Sequence, residues 1–594
     1  MNPPVVRLFA VALTLALSLP GQKALAEGPA VSPFRGMRMS GDTLEVQVAD
    51  DTWSELLAVG ACDTATLLRE AKRLCGPQAW KRITEDLPAL LGAMGQPVGD
   101  KVDLKVRDLA SNEVKELPGV ALTAANRRRL WEANKGGRAP DLEAVQVALT
   151  NADARADLQT LRTLLDTQFA YRELRPVDLD KLLRDAEARL GDAQTVGMAT
   201  FVASVDRVLC AFGDGHSRID AQGAAVTAFL PFLVQQVDGG HAVFQPSREA
   251  LVDAGFPFLV AIDGVPLAKW LDAARARGTQ GSAAMQARLA ERGLRDLALL
   301  RQDLQLPAEQ RVQFTLRGPG GERELDAEVA SRRPTYGAWP RTETRVLDGD
   351  VGYLRIPEMS GDAGFLDGLD SAMQAFRDTK GLVIDVRGNG GGTRDALRRL
   401  APYLLPANGA PVVGNVAAVL LDRGQAAPAD ALSDRGLYRV DWNGWTDAQR
   451  GAITQFARAW KPSWKLPAGK FSPWHFLVLD RADNPKAFAY GQKVVLLIDR
   501  GCFSATDVFA AALQALPNVT LVGEATSGGS GRARSQVLPK SGVRLQLSTM
   551  ASFRPDGVLF EGNGVVPDVV VAMQPTDLVG ATDTALAVAM ARLR

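Results

Sequence analysis

Along residues 351–594, short apolar runs alternate with stretches in which apolar residues recur at helical spacing. Val351–Ile356, Gly381–Val386, Val494–Ile498 and Val519–Val522 are near-continuous apolar runs bounded by turn residues, which predicts buried strands. Phe365–Arg377 predicts a helix, and another starts near Arg394. From Ser504 the period changes again: Ala505, Val508, Phe509, Ala512, Leu513 and Leu516 share one helical face, which Pro517-Asn518 closes. Alternating strand and helix predicts a mainly parallel, layered α/β core. Residues 422–486 interrupt it and hold five of the ten tryptophans (442, 445, 460, 464 and 474). That segment reads either as a packed excursion or as a substrate-shaping lid.

Upstream the pattern changes four times. Residues 27–145 mix strands (Thr43–Val48, Lys101–Val106) with helices (Ala65–Leu74, Ala79–Met94), an α+β region with no catalytic constellation. Residues 146–221 are mostly helical, and a last helix, Thr195–Phe212, runs into Gly213-Asp214-Gly215-His216-Ser217, a tight turn expected to expose His216. Residues 222–331 carry short strands (Val234–Val237, Ala242–Phe244, Phe258–Ile262), a helical stretch Ala283–Leu304 and a closing hairpin, Val312–Leu316 with Glu324–Val329. Residues 332–350, with Pro334 and Pro340, read as a linker. At the start, Arg7, the apolar Leu8–Leu19 and Ala24-Leu25-Ala26 form a signal peptide, cleaved after Ala26, that directs the chain to the periplasm or to secretion. No later run reaches the length of a membrane span, so no stable membrane insertion is expected.

Composition narrows the classes. A 594-residue chain predicts three or four domains, and 46% hydrophobic residues supply ample core. Zero formal net charge gives no electrostatic case for nucleic acid as a partner. Four cysteines make no disulfide scaffold. Cys62 and Cys75 are close enough in sequence to pair in an oxidising compartment, whereas Cys210 and Cys502 read as buried free thiols. Three histidines far apart and no C-x-x-C leave no expectation of a metal site. With no phosphate-loop or dinucleotide fingerprint, no cofactor is expected.

Four pieces carry candidate chemistry. Ser504 stands where a strand turns into a helix, and reads in two ways: as an N-cap, with Asp507 at N3 completing a capping box, or as a nucleophile beside the free N–H groups of a helix start. The run Gly388–Gly392 lets backbone N–H groups approach either a reacting carbonyl or a phosphate. A serine nucleophile needs a proton acceptor near neutral pH. Of the three histidines, His241 opens a short strand and His475 sits among aromatics, which leaves His216. Glu561 stands in a glycine-rich turn, in Phe553–Val571, where a carboxylate orients polar groups, pairs with an arginine or simply makes the turn.

Taken together, Asp385–Gly392 (DVRGNGGG), Phe503–Asp507 (FSATD), Val522–Thr526 (VGEAT) and Glu561–Asp568 (EGNGVVPD) resemble, in order and spacing, the C-terminal-processing and tricorn-like serine peptidases of family S41, over about residues 150–575. The resemblance implies a crotonase-like (ClpP/crotonase type) α/β core, a helical region before it, and a PDZ-like domain between them, which residues 222–331 and Phe258–Pro266 resemble. It implies peptide or protein substrates, recognised in some members by their C-termini. Processing peptidases use a serine–lysine dyad, but Gly529 occupies the lysine position here. The tricorn-like version uses a histidine, matched by His216, and a carboxylate, matched by Glu561; a serine precedes that histidine, where this chain has Gly215. The resemblance therefore implies Ser504 as nucleophile, His216 as general base, and an oxyanion hole from Ala505 with Gly390 or Gly391. Two other readings use the same fold: a catalytically silent binder of peptides or apolar ligands, and an esterase or acyl transferase acting through Ser504.

Overall fold

The computed structural model describes residues 31–594 apart from 41–42, 49–51, 76–77, 110, 112, 135–148, 221–225, 227 and 423–425. The signal-peptide reading of residues 1–26, with its cleavage after Ala26, lies outside the described residues. The chain divides into two compact units, residues 1–150 with 195–198, and residues 151–194 with 199–594.

The first unit is built on an antiparallel sheet ordered Gly36–Ser40, Thr43–Gln47, Ser54–Val59, Lys101–Asp108, Val114–Ala121. Lys101–Asp108 alternates buried and exposed residues, so one face of the sheet carries Val102, Leu104 and Val106 into a core shared with Leu67, Leu68, Ile83 and Leu90. The helix expected over Ala79–Met94 is two helices, Ala79–Glu85 and Leu87–Ala93, because Pro88 suits only the first turn of a new helix. Cys62 and Cys75 are free thiols, so the pairing open to them by sequence is not made.

In the second unit, helices Asn151–Gln168, Leu179–Leu190 and Met198–Cys210 lead to the turn that carries His216. Residues 222–331 fold around a sheet ordered Leu233–Val237, Gly240–Phe244, Phe258–Ile262, Arg311–Gly318, Gly321–Glu328. The periodic stretch Ala283–Leu304 is broken into Ala283–Gly293 and Leu297–Asp303, and Leu267–Ala276 is a further helix. Its Trp270 is fully buried and donates its indole N–H to the Ile262 carbonyl at 3.0 Å.

The core sheet runs Arg345–Leu347, Val351–Arg355, Gly381–Asp385, Val494–Ile498, Val519–Gly523, Val569–Val570. All neighbours after the first antiparallel pair are parallel. Residues 345–347 of the expected linker are thus an edge strand of this sheet. Gly381–Asp385 and Val494–Ile498 are buried along their whole length, as strands covered on both faces must be. Helices Ala363–Ala375, Asp395–Leu404 and Ala505–Gln514 cover one face and Thr584–Leu593 the other. A second, antiparallel sheet is ordered Tyr438–Arg439, His475–Leu479, Val412–Val419, Met550–Phe553. The expected insertion 422–486 therefore contributes a central strand at its end. Trp460 and Trp474 pack edge-on against each other and against Phe553, while Trp442 stacks face to face on Tyr438 and Trp445 meets both edge-on. Trp445, Trp460 and Trp474 pack the excursion against Val413 and Val416 of the second sheet. Among the described residues no helix is long and apolar enough to cross a membrane.

Candidate active site

Two turns at the carboxyl ends of adjacent parallel strands come together. After Gly381–Asp385 the chain turns through Gly388–Gly392; after Val494–Ile498 it turns through Asp499–Phe503 into the helix that Ser504 precedes. The Asp499 Oδ1 accepts the N–H groups of Gly388, at 2.8 Å, and Gly501, at 2.9 Å, and so fastens one turn to the other. Asn389 fastens them again. Its Oδ1 accepts the Gly391 N–H at 2.9 Å and the Thr506 hydroxyl at 2.8 Å, and its carbonyl accepts the Phe503 N–H at 3.1 Å. Gly391 (φ 104°) passes so close that a Cβ would stand 2.7 Å from the Ser504 Cβ, so no side chain fits there.

Ser504 has φ 61° and ψ −118°, a strained conformation for a residue with a side chain, and its hydroxyl makes no cap bond. The expected capping box is not formed, because the hydroxyl is used elsewhere: Ser504 Oγ lies 2.9 Å from His216 Nε2. Asp507 is fully buried and holds the Thr526 hydroxyl and the Gly528 N–H, at 3.1 Å, on its Oδ1. Burial raises its carboxyl to about 7, against hydrogen bonds from Thr526, Gly528 and the Ser504 backbone. Thr526 Oγ1 in turn accepts the Val565 N–H at 2.7 Å, which ties the helix after Ser504 to the turn of Glu561.

The turn of His216 is partly buried, not the exposed tip expected of a Gly-Asp-Gly sequence. Buried Asp214 holds it, accepting the His216 N–H at 3.0 Å and the Ser217 hydroxyl. The imidazole stacks on Phe503 with centroids 4.6 Å apart, while a Cβ on Gly531 would come within 2.8 Å of its Cγ. Burial is the largest influence on its pKa and pulls it to about 4; Asp214 opposes, and Arg435 and Arg218 reinforce. The ring is therefore neutral at neutral pH, and in the tautomer protonated at Nδ1 its Nε2 accepts from the Ser504 hydroxyl.

Glu561 is 2% exposed, and its Oε1 accepts the Gly215 N–H at 3.0 Å. Burial first, and Asp214 second, push its carboxyl well above the usual range. Its Oε2 and the His216 Nδ1 are both buried and neither has a hydrogen-bond partner among the described residues. Donor atoms of Asp214, His216 and Glu561 lie within 4.8 Å of one another, a clustering that sequence spacing did not suggest. The Asp214 oxygens, Glu561 Oε1 and His216 Nε2 are already engaged by protein groups, which leaves a poor donor set for a metal ion.

The two departures from the resembled pattern have steric counterparts. A Cβ on Gly215 would stand 2.6 Å from the Met285 Cε and 2.7 Å from the Phe503 ring, so a serine there requires the methionine tip and the ring to shift. A Cβ on Gly529 would meet the same ring at 2.5 Å and Glu561 Oε2 at 3.2 Å. Of the other expected residues, the N–H groups of Ala505 and Gly390 have no protein acceptor among the described residues, whereas the Gly391 N–H is spent on Asn389. His475 is fully buried in its strand with Nδ1 3.0 Å from the Pro473 carbonyl, and His241 lies 3.9 Å from Glu291; neither joins the site. Sequence reasoning missed Asn389 and Phe503. The signal for Asn389 was its place inside the glycine run; Phe503 gave none beyond adjacency to Ser504.

Residues 350–571 match the model of peptidase family S41. Among solved structures, mature CPAF is similar at 19% identity and TM-score 0.51, over 72% of this chain and 94% of that one. Mature CPAF complexed with lactacystin is similar at 18% identity and TM-score 0.53, over 75% of this chain and 97% of that one. The photosystem II D1 C-terminal processing protease matches at 16% identity and TM-score 0.36, over 73% and 96%. At such identities the CPAF structures speak to the fold.

Proposed function

We propose that this chain, a serine-type peptidase of family S41, hydrolyses peptide bonds through an acyl-enzyme on Ser504, with His216 as general base. The observation that carries this reading is the 2.9 Å contact between His216 Nε2 and Ser504 Oγ, from positions 288 residues apart. As Ser504 Oγ attacks the carbonyl carbon, its proton passes to Nε2; the oxyanion forms within reach of the Ala505 and Gly390 N–H groups. Collapse breaks the C–N bond, and Nε2–H protonates the leaving amine. Water then enters, gives its proton to Nε2 as it attacks the ester, and the acid product leaves as the proton returns to Ser504. Glu561 has a carboxylate oxygen within 4.8 Å of a His216 ring nitrogen and holds the His216 turn through Gly215. The absence of a lysine at Gly529, with Phe503 filling the space beyond it, supports the serine–histidine version over the serine–lysine one.

The surroundings are read in the same way. The core is of crotonase-like type, and residues 222–331 are a PDZ-like domain that captures extended peptides or C-termini by strand addition. With residues 1–26 as a cleaved signal peptide, the enzyme works in the periplasm or outside the cell. A fluorophosphonate probe tests the reading. Mass spectrometry of the labelled chain places the adduct on Ser504, and Ser504→Ala and His216→Ala both abolish it. A folded wild-type chain that stays unlabelled overturns the reading. Faster turnover of small esters than of every peptide in a panel would favour the esterase alternative.

A further inference from the structure

Between residues 222–331 and the core lies a cavity of about 110 Å³ that takes no part in the catalytic reading. Its floor includes Gly388 and Gly501, the two backbone positions that Asp499 ties together beneath the glycine turn and Ser504. Its wall is cationic: Arg355 and Arg500 have carboxylate partners, whereas Arg248, Arg288 and Arg292 have none at ion-pair distance among the described residues. Arg288 and Arg292, one turn apart on helix Ala283–Gly293, make no ion pair among the described residues; Arg292 only stacks over Tyr336, and Arg288 Nε is buried with no partner. Arg248 is 5% exposed and spends its guanidinium on the carbonyls of Tyr336 and Leu578, at 2.9 and 3.0 Å, and on the face of Trp339. Burial pulls both Arg248 and Arg288 down to about 10, with Arg292 reinforcing and the Asp499 carboxylate opposing only in part. The carboxylates present are committed: Glu291 pairs with Arg500 at 2.9 Å, and Asp499 accepts the two backbone N–H groups.

Buried charges are ordinarily paired, and three guanidinium groups around one small cavity are a costly arrangement without an anion. The cavity has room for a few water-sized groups, the size of a carboxylate or phosphate, which arginine holds through paired N–H donors. Domain interfaces and the carboxyl ends of parallel strands are where ligand sites concentrate. We propose that this cavity is an oxyanion-binding site, formed by Arg248, Arg288 and Arg292 over Gly388 and Gly501, whose occupant joins the 222–331 domain to the two turns bearing Gly390 and Ser504. The occupant is a carboxylate-sized anion, supplied by the C-terminus of a peptide or by a free anion. The site does not depend on Ser504 being the nucleophile.

The test is thermal unfolding of the full chain carrying Ser504→Ala, titrated with acetate or inorganic phosphate against chloride at matched ionic strength. A site that binds only the folded chain gives a saturable rise in the midpoint. Arg288→Gln and Arg292→Gln each weaken the apparent affinity by about ten-fold, and neither lowers the anion-free midpoint, since each removes an uncompensated charge. An equal rise with chloride, or one that both variants leave intact, overturns the proposal. A second arm, on the active enzyme, compares peptides ending in a free acid and in an amide. A KM preference for the acid that Arg288→Gln abolishes assigns the site to peptide C-termini; the same anion response without that preference assigns it to free anions. Because unfolding needs no turnover, failure here is separable from failure of the catalytic reading.

Discussion

At the scale of single residues, His216 as the proposed base sets how the reaction is expected to answer to pH. Burial holds its pKa at about 4, below the ordinary 6.5, so the imidazole stays a free base through mildly acid solution. The profile of kcat/KM is expected to hold level from neutrality to about pH 5 and to fall with a midpoint near 4; a midpoint at or above 6.5 would mean that the ring is solvated. Unfolding does not supply that fall within the shared window. Below 6.5 the unfolded chain protonates this histidine and the folded one does not until about 4, so its share of stability is lost as pH falls. Asp507 acts oppositely: raised from 3.8 to about 7, it binds its proton in the folded chain alone, and stability is lost as pH rises across that range. The two slopes offset each other between about 4 and 6.5. Gly215 gives a second test. Gly215→Ser would restore the serine of the resembled pattern, yet its Cβ meets Met285 and Phe503. We expect kcat to fall by about ten-fold or more as the Phe503 ring is pushed from His216, with a loss of about 1–3 kcal/mol in urea unfolding; a rise in kcat would refute the steric account. Ser504, His216 and Glu561 were legible because each stands in a turn whose glycines announce it. The Met285 and Phe503 contacts were not, since they join residues distant in sequence, and a Gly-Asp-Gly turn does not reveal what covers it.

Among elements, the glycine turn is positioned by side chains that its glycines cannot supply. Asn389 is fully buried and bonds Gly391, Thr506 and the Ile356 carbonyl. Asn389→Ala strands those groups, costing about 1–3 kcal/mol, and lets the turn drift from Ser504; kcat is expected to fall by about 10- to 100-fold with KM little changed. A matched loss in KM instead would place Asn389 in substrate binding. One step back along the strand, Arg387 neutralises fully buried Asp385 and also grips Asp583 at 2.8 Å, which anchors the C-terminal helix. Arg387→Ala leaves Asp385 with the backbone N–H of residue 387 at 3.0 Å, the Tyr353 hydroxyl at 2.7 Å and Arg355 at 3.7 Å, a loss of about 3–5 kcal/mol readable as a lower urea midpoint. The strands of this core could be read from sequence because strands buried on both faces are apolar runs. Helix boundaries were less legible: one predicted helix was two where Pro88 intervened, another was two about Arg295, and Leu267–Ala276 is too short for its period to stand out.

For the molecule as a whole, the division into two units separates what the family match explains from what it does not. The match covers residues 350–571, wholly inside the second unit, which also supplies His216. The first unit owns a core of its own, from Phe34 and Leu44 through Leu67 and Ile83 to Leu104, and none of its described residues is among those named at the site. A unit with an independent core unfolds as an independent cooperative block unless a large interface couples it. Calorimetry of the full chain is therefore expected to give a total enthalpy larger than the van't Hoff enthalpy, resolved into two transitions. Arg387→Ala identifies them, because the strand and helix it joins belong to the second unit: only one transition should move, by about 2–4 °C per kcal/mol for a block of this size or larger. Both transitions moving together, or a single one with equal enthalpies, would show that the chain folds as one block. The role of the first unit would then be sought in its effect on the stability of the second.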